Sequence, residues 1–125
     1  LVDLPGYGYA RGGAAAGQEF DALAVAYFGT RAADPRFRGA FVLVDSRHPG
    51  LDADRSAWNW LERLGVTCHI VATKIDKLTQ AERRRHLVEL ERLYSGTVTP
   101  TSADTGEGLD QLWKTIATLT TTARP

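Results

Sequence analysis

With 125 residues, of which 43% are hydrophobic and 24% charged, the sequence has the size and make-up of one small folded domain. Fifteen basic residues balance fifteen acidic ones, which argues against a global field strong enough to hold DNA or another polyanion. No apolar run approaches the roughly 20 residues needed to span a bilayer and no signal-peptide layout opens the chain, so a cytoplasmic location is expected.

In chain order, Leu1-Val2 reads as the last turn of a buried strand; with no methionine anywhere, a fragment of a longer domain is expected. The glycine and alanine stretch 12–17 reads as a mobile loop ahead of a helix over 18 to about 33, which carries Phe20, Leu23, Ala24 and Tyr27 on one face. Asp34-Pro35 stops that helix, and Ala40-Phe41-Val42-Leu43-Val44 is a continuous apolar run suited to a strand buried on both faces. Over 52–64, Ala57, Trp60, Leu61 and Leu64 recur at helical spacing, with Gly65 where a C-terminal glycine belongs; Trp60 is expected inward and Trp58 partly exposed. A second buried strand is predicted over 66–73, with Cys68 as a small hydrophobe in it. Thr79 and Glu82 form a capping box for a helix carrying Leu87, Leu90 and Tyr94. A short β-branched strand follows over 97–101, then a helix from about residue 108 with Leu109, Leu112, Trp113 and Ile116 inward, fraying after Thr120. Strands alternating with helices in a single domain predict an α/β fold with a parallel, doubly wound sheet.

Three segments fall at the C-terminal ends of predicted strands, the rim where open α/β sheets bind ligands. Asp3-Leu4-Pro5-Gly6 offers an aspartate able to hold a metal-bound water and a glycine whose N–H can approach a terminal phosphate, although a plain Pro-Gly turn has the same letters. Thr73-Lys74-Ile75-Asp76 offers a carboxylate that can accept from N1–H and N2–H₂ of guanine, a donor pair adenine lacks. One predicted helix and one predicted strand farther on, Thr101-Ser102-Ala103 offers a small residue whose backbone N–H can meet the guanine O6; the same letters suit a serine cap. Elsewhere, His48, His69 and His86 lack ligand spacing, and Arg83-Arg84-Arg85 reads as a solvated face.

Taken in this order, the three segments resemble the GTP-binding motifs of P-loop GTPases. The flanking Tyr7-Gly8-Tyr9-Ala10, the run Leu43-Val44-Asp45-Ser46-Arg47-His48-Pro49 and the threonine at position 73 resemble signatures of the EngB (YihA/YsxC) family within the TrmE-Era-EngA-EngB-like superfamily. The resemblance implies a GTP/GDP-binding protein acting with Mg²⁺, monomeric, a slow GTPase switch that assists assembly of the large ribosomal subunit and is associated with cell division and septation. It places Asp3, Leu4, Pro5, Gly6, Thr73, Lys74, Ile75, Asp76, Thr101, Ser102 and Ala103 at the nucleotide, with Asp3 reaching the metal through water. The Gly-x-x-x-x-Gly-Lys-Ser/Thr phosphate loop is absent from this sequence, so a partial domain lacking the phosphate-loop strand and helix is expected. Tyr7 stands where Ras-like enzymes carry a water-orienting glutamine, and no catalytic residue is assigned. The alternatives are a degenerate half acting only as an interaction module, and a flavodoxin- or response-regulator-like fold using Asp3 or Asp45 as a strand-end acid.

Overall fold

The computed structural model describes residues 1–4, 14–95 and 97–121. The first helix, α1 (Ala14–Arg31), begins earlier than its apolar period indicates. Ala14-Ala15-Ala16, read above as loop, are the strongest helix formers and join it; Gly12 and Gly13 lie outside the described residues. Strand β1 (Ala40–Asp45) is followed by α2 (Asp52–Arg63), then β2 (Cys68–Thr73) and a 3₁₀ turn over Ile75–Lys77. Next come α3 (Gln80–Leu93), β3 (Val98–Pro100) and α4 (Leu109–Thr121).

Local chemistry fixes several of these ends. Gly65, at φ 72°, closes α2: its N–H reaches the Glu62 carbonyl at 2.9 Å and that of Val66 reaches Leu61 at 3.1 Å, the paired bonds of a Schellman motif. At the start of α3 both halves of the capping box form, the Thr79 hydroxyl accepting from the Glu82 N–H and the Glu82 carboxylate from the Thr79 N–H.

The strands are parallel in the order β1-β2-β3, so the expected α/β class with a parallel sheet is what forms. Asp45 pairs with Thr73, and Ala72 with Pro100, so all three strands end along one rim. On one face of the sheet Val42, Val44, Ile70 and Ala72 are buried against Trp58 and Leu61 of α2, Leu90 of α3, and Tyr94. The tryptophans reverse the expectation. Trp58 is buried, its ring 5.3 Å from that of Tyr94, whereas Trp60 is half-buried with its ring 5.7 Å from Phe28 of α1. They do point to different faces of α2, but the helix has a neighbour on each flank, so neither face is left to water.

Two further expectations are corrected. Residues 1–4 form no strand, and Leu1, Val2 and Asp3 are exposed; a strand needs a hydrogen-bonded neighbour, and among the described residues none flanks them. In α4 no side chain is fully buried: Leu112 and Ile116 are half-buried, while Leu109 and Trp113 are exposed. The apolar period is present, but the sheet beneath it is only three strands wide. Val2, Phe41, Leu43, Trp60, Ile116 and Leu119 instead line a groove of about 2120 Å³ beside β1.

Candidate functional site at the sheet rim

The segments leaving β2 and β3 are bound to each other by backbone as well as side chain. The Thr101 N–H donates to the Ala72 carbonyl at 2.8 Å, and the Ile75 N–H donates to the Thr101 carbonyl at 3.2 Å. Ile75, only 1% exposed, pins the first loop into the core, and Lys74 beside it takes the left-handed conformation at φ 62°. That turn projects Asp76 toward the second loop. Its Oδ1 accepts the Ser102 hydroxyl at 2.8 Å.

Ser102 is completely buried. Its Oγ also accepts from the Thr105 N–H at 3.2 Å, and its own N–H donates to the Glu107 carbonyl at 2.9 Å. The Ser102 hydrogen bond, helped by the charge of Lys77, holds the Asp76 carboxyl below the usual carboxylate range, so this group is an anion with only acceptors to offer. Ala103, next in the chain, is exposed. Gly108 closes the loop at φ 79°, lying so close to the sheet that a Cβ there would collide with the Pro100 carbonyl.

Thr73 turns the other way: its hydroxyl donates to the Val44 carbonyl at 3.0 Å and stitches β2 to β1. Lys74 lies near Asp45, its Nζ 3.4 Å from Oδ2. The Arg47 guanidinium grips the same carboxylate through Nε and Nη2, at 3.0 and 2.7 Å, and holds it well below the usual carboxylate range. Asp45 and Arg47 thus adjoin the lysine of the Thr-Lys-x-Asp segment, a contact that sequence spacing could not reveal. Arg83 is also misread as solvated: it bonds Glu107 and the Ile75 carbonyl, whereas Arg84 and Arg85 are exposed. The His86 Nδ1 lies 2.8 Å from the Ser46 carbonyl, tying α3 to the end of β1.

The structure therefore brings Thr73, Lys74, Ile75 and Asp76 together with Thr101, Ser102 and Ala103. Asp3 is exposed, Leu4 packs on the core, and Pro5, Gly6 and Tyr7 lie outside the described residues. Among the described residues no three His, Cys, Asp or Glu side chains cluster as a metal site. Nor, among them, is any helix long and apolar enough to cross a membrane.

No family model matches the chain. Among solved structures, a crystal structure of a probable GTP-binding protein EngB superposes with a TM-score of 0.77 at 17% identity, covering 94% of this chain and 76% of that one. The apo form of translation elongation factor SelB from Methanococcus maripaludis superposes at 0.61 and 21% identity over 70% of this chain and 20% of its own. The parallel sheet and its order of elements are those of the P-loop GTPase fold, present in part. In sequence, the chain is 38% identical to the probable GTP-binding protein EngB of Thermotoga maritima over 123 residues, and 40% identical to that of Gemmatimonas aurantiaca over 115. The chain is a homologue of these EngB proteins along nearly its whole length. It spans 62% and 55% of their respective lengths.

Proposed function

We propose that this chain is the base-recognising portion of a guanine-nucleotide-binding switch, with the ligand seated between the 73–76 and 101–103 loops. The observation that carries it is the Asp76 carboxylate, kept anionic and fixed by buried Ser102 at the rim of a parallel sheet. Its acceptors match the N1–H and N2–H₂ of guanine, the Lys74 stem lies along the purine, and the Ala103 N–H donates to O6. Thr73, Ile75, Thr101 and Ser102 hold the two loops in place. In this reading Asp3, Leu4, Pro5 and Gly6 face the terminal phosphate, and bound magnesium supplies charge neutralisation there.

GTP hydrolysis, the Mg²⁺ requirement, a cytoplasmic monomeric state and a role in large ribosomal subunit assembly and septation extend the proposal through the family resemblance.

The test is the Asp76→Asn variant. An asparagine has one acceptor and one donor, so it matches the N1–H and the carbonyl of xanthine and opposes the amine of guanine. Titrations with GDP and XDP, followed by NMR, are expected to move the preference toward XDP by about tenfold or more. An unchanged GDP margin rules out Asp76 as the reader of the base.

A further inference from the structure

We propose that Arg83 is a positioning residue for base recognition, a strap that locks the two base-reading loops to each other. The inference rests on the guanine reading above. Arg83 sits in the first turns of α3, whose start is fixed by the Thr79 capping box, its own N–H donating to the Thr79 carbonyl at 2.8 Å. From there Nη1 donates to Glu107 Oε1 at 2.7 Å and Nη2 to Oε2 at 3.3 Å. Nη2 also donates to the Ile75 carbonyl at 3.3 Å.

These contacts close a ring. Ile75 precedes Asp76; Asp76 accepts from the Ser102 hydroxyl; the Ser102 N–H donates to the Glu107 carbonyl; and the Glu107 carboxylate returns to Arg83. The side chain of Arg83 is 23% exposed and its Nε is buried without a partner. The cost of holding a charged group this far from water, with one donor unpaired, is offset by the charge-assisted bonds its fork makes to Glu107 and the Ile75 carbonyl. Lysine cannot replace it, because a single ammonium on a flexible stem does not span the carboxylate and the carbonyl with fixed geometry.

The consequence lies in selectivity. Asp76 reads two donors only if both carboxylate oxygens are in register with the base; a loop free to tilt loses the bond to the exocyclic amine before the bond to N1–H. Inosine lacks that amine, so the ratio of GDP to IDP affinity reports the register itself, whereas a loss of general stability lowers both affinities alike.

The experiment titrates GDP and IDP into the 125-residue chain and its Arg83→Ala, Arg83→Lys and Glu107→Gln variants, followed by the Ser102 and Thr105 amide signals, with a thermal melt for each. The wild type is expected to favour GDP by about tenfold, the increment of one hydrogen bond to a charged acceptor. Arg83→Ala and Glu107→Gln are expected to reduce that margin by about threefold or more, with Arg83→Lys between. If Arg83→Ala does not fold, Glu107→Gln decides, since its carboxylate is half exposed and the change is isosteric. An undiminished GDP margin in Glu107→Gln overturns the strap. A wild type with no GDP preference overturns the guanine reading, and the strap with it.

Discussion

Asp45 ends β1 with both carboxylate oxygens engaged: Oδ1 accepts the Arg47 backbone N–H at 3.0 Å as well as its Nε, and Oδ2 accepts Nη2 with Lys74 nearby. The Arg47 hydrogen bonds come first among the causes that depress its pKa. A carboxyl depressed on folding adds stability above its unfolded pKa of about 3.9, and that stability is lost as the pH falls toward the folded value. Acid unfolding of the wild type is therefore expected to steepen below about pH 4. Asp45→Asn is expected to melt lower at neutral pH and to show a smaller decline between about pH 5 and pH 2.5. Melting curves across that range check it; parallel declines in the two proteins contradict the assignment. Asp34, lowered to about 2 chiefly by its hydrogen bond to Arg36, titrates nearby, but its partner is almost fully exposed and the pair is largely screened.

Among elements, the turn from β3 into α4 carries the sharpest steric demand. Gly65 and Gly108 have similar left-handed backbones, at φ 72° and 79°, yet differ in surroundings: a Cβ at Gly65 meets nothing within 4 Å, while one at Gly108 meets the Pro100 backbone. Gly65→Ala is expected to cost about 1 kcal/mol, the penalty of the left-handed region. Gly108→Ala adds displacement of the loop and is expected to cost at least about 2 kcal/mol more, with the Ser102 to Asp76 bond weakened. Chemical denaturation of both variants measures the difference, and equal costs would show that the loop yields freely. The helices were readable to different degrees. The α3 start was legible because a capping box involves residues three apart, whereas the orientation of Arg83, rather than Arg84 or Arg85, into the site depends on Glu107.

At the scale of the molecule, the groove beside β1 leaves the Leu43 side chain 62% exposed, and the 125 residues carry the base-reading loops without a Gly-x-x-x-x-Gly-Lys-Ser/Thr segment. Backbone amides and a lysine around the β- and γ-phosphates supply much of the affinity for a triphosphate. GTP is therefore expected to bind this chain at least about a hundredfold more weakly than it binds a full-length relative, a difference of about 2.7 kcal/mol. Calorimetric titration with GTP and Mg²⁺ decides it, and micromolar or tighter binding by the chain alone overturns the assignment of affinity to the phosphate loop.

The sequence by itself determined the alternation of strands and helices, the cap of α3, the glycine end of α2 and the two rim segments, because each is written in neighbouring residues or in the spacing of one βαβ unit. Only the tertiary structure decided which side chains meet across that spacing. The β1 to β2 register sets Asp45 opposite Thr73 and so beside Lys74, 29 residues away; the 101–108 turn carries Ser102 to Asp76 and Glu107 to Arg83. It also decided that both tryptophans of α2 find aromatic neighbours while Trp113 of α4 stays 62% exposed. Periodicity specifies that a helix has an apolar face, but burial of that face depends on what the rest of the fold sets against it.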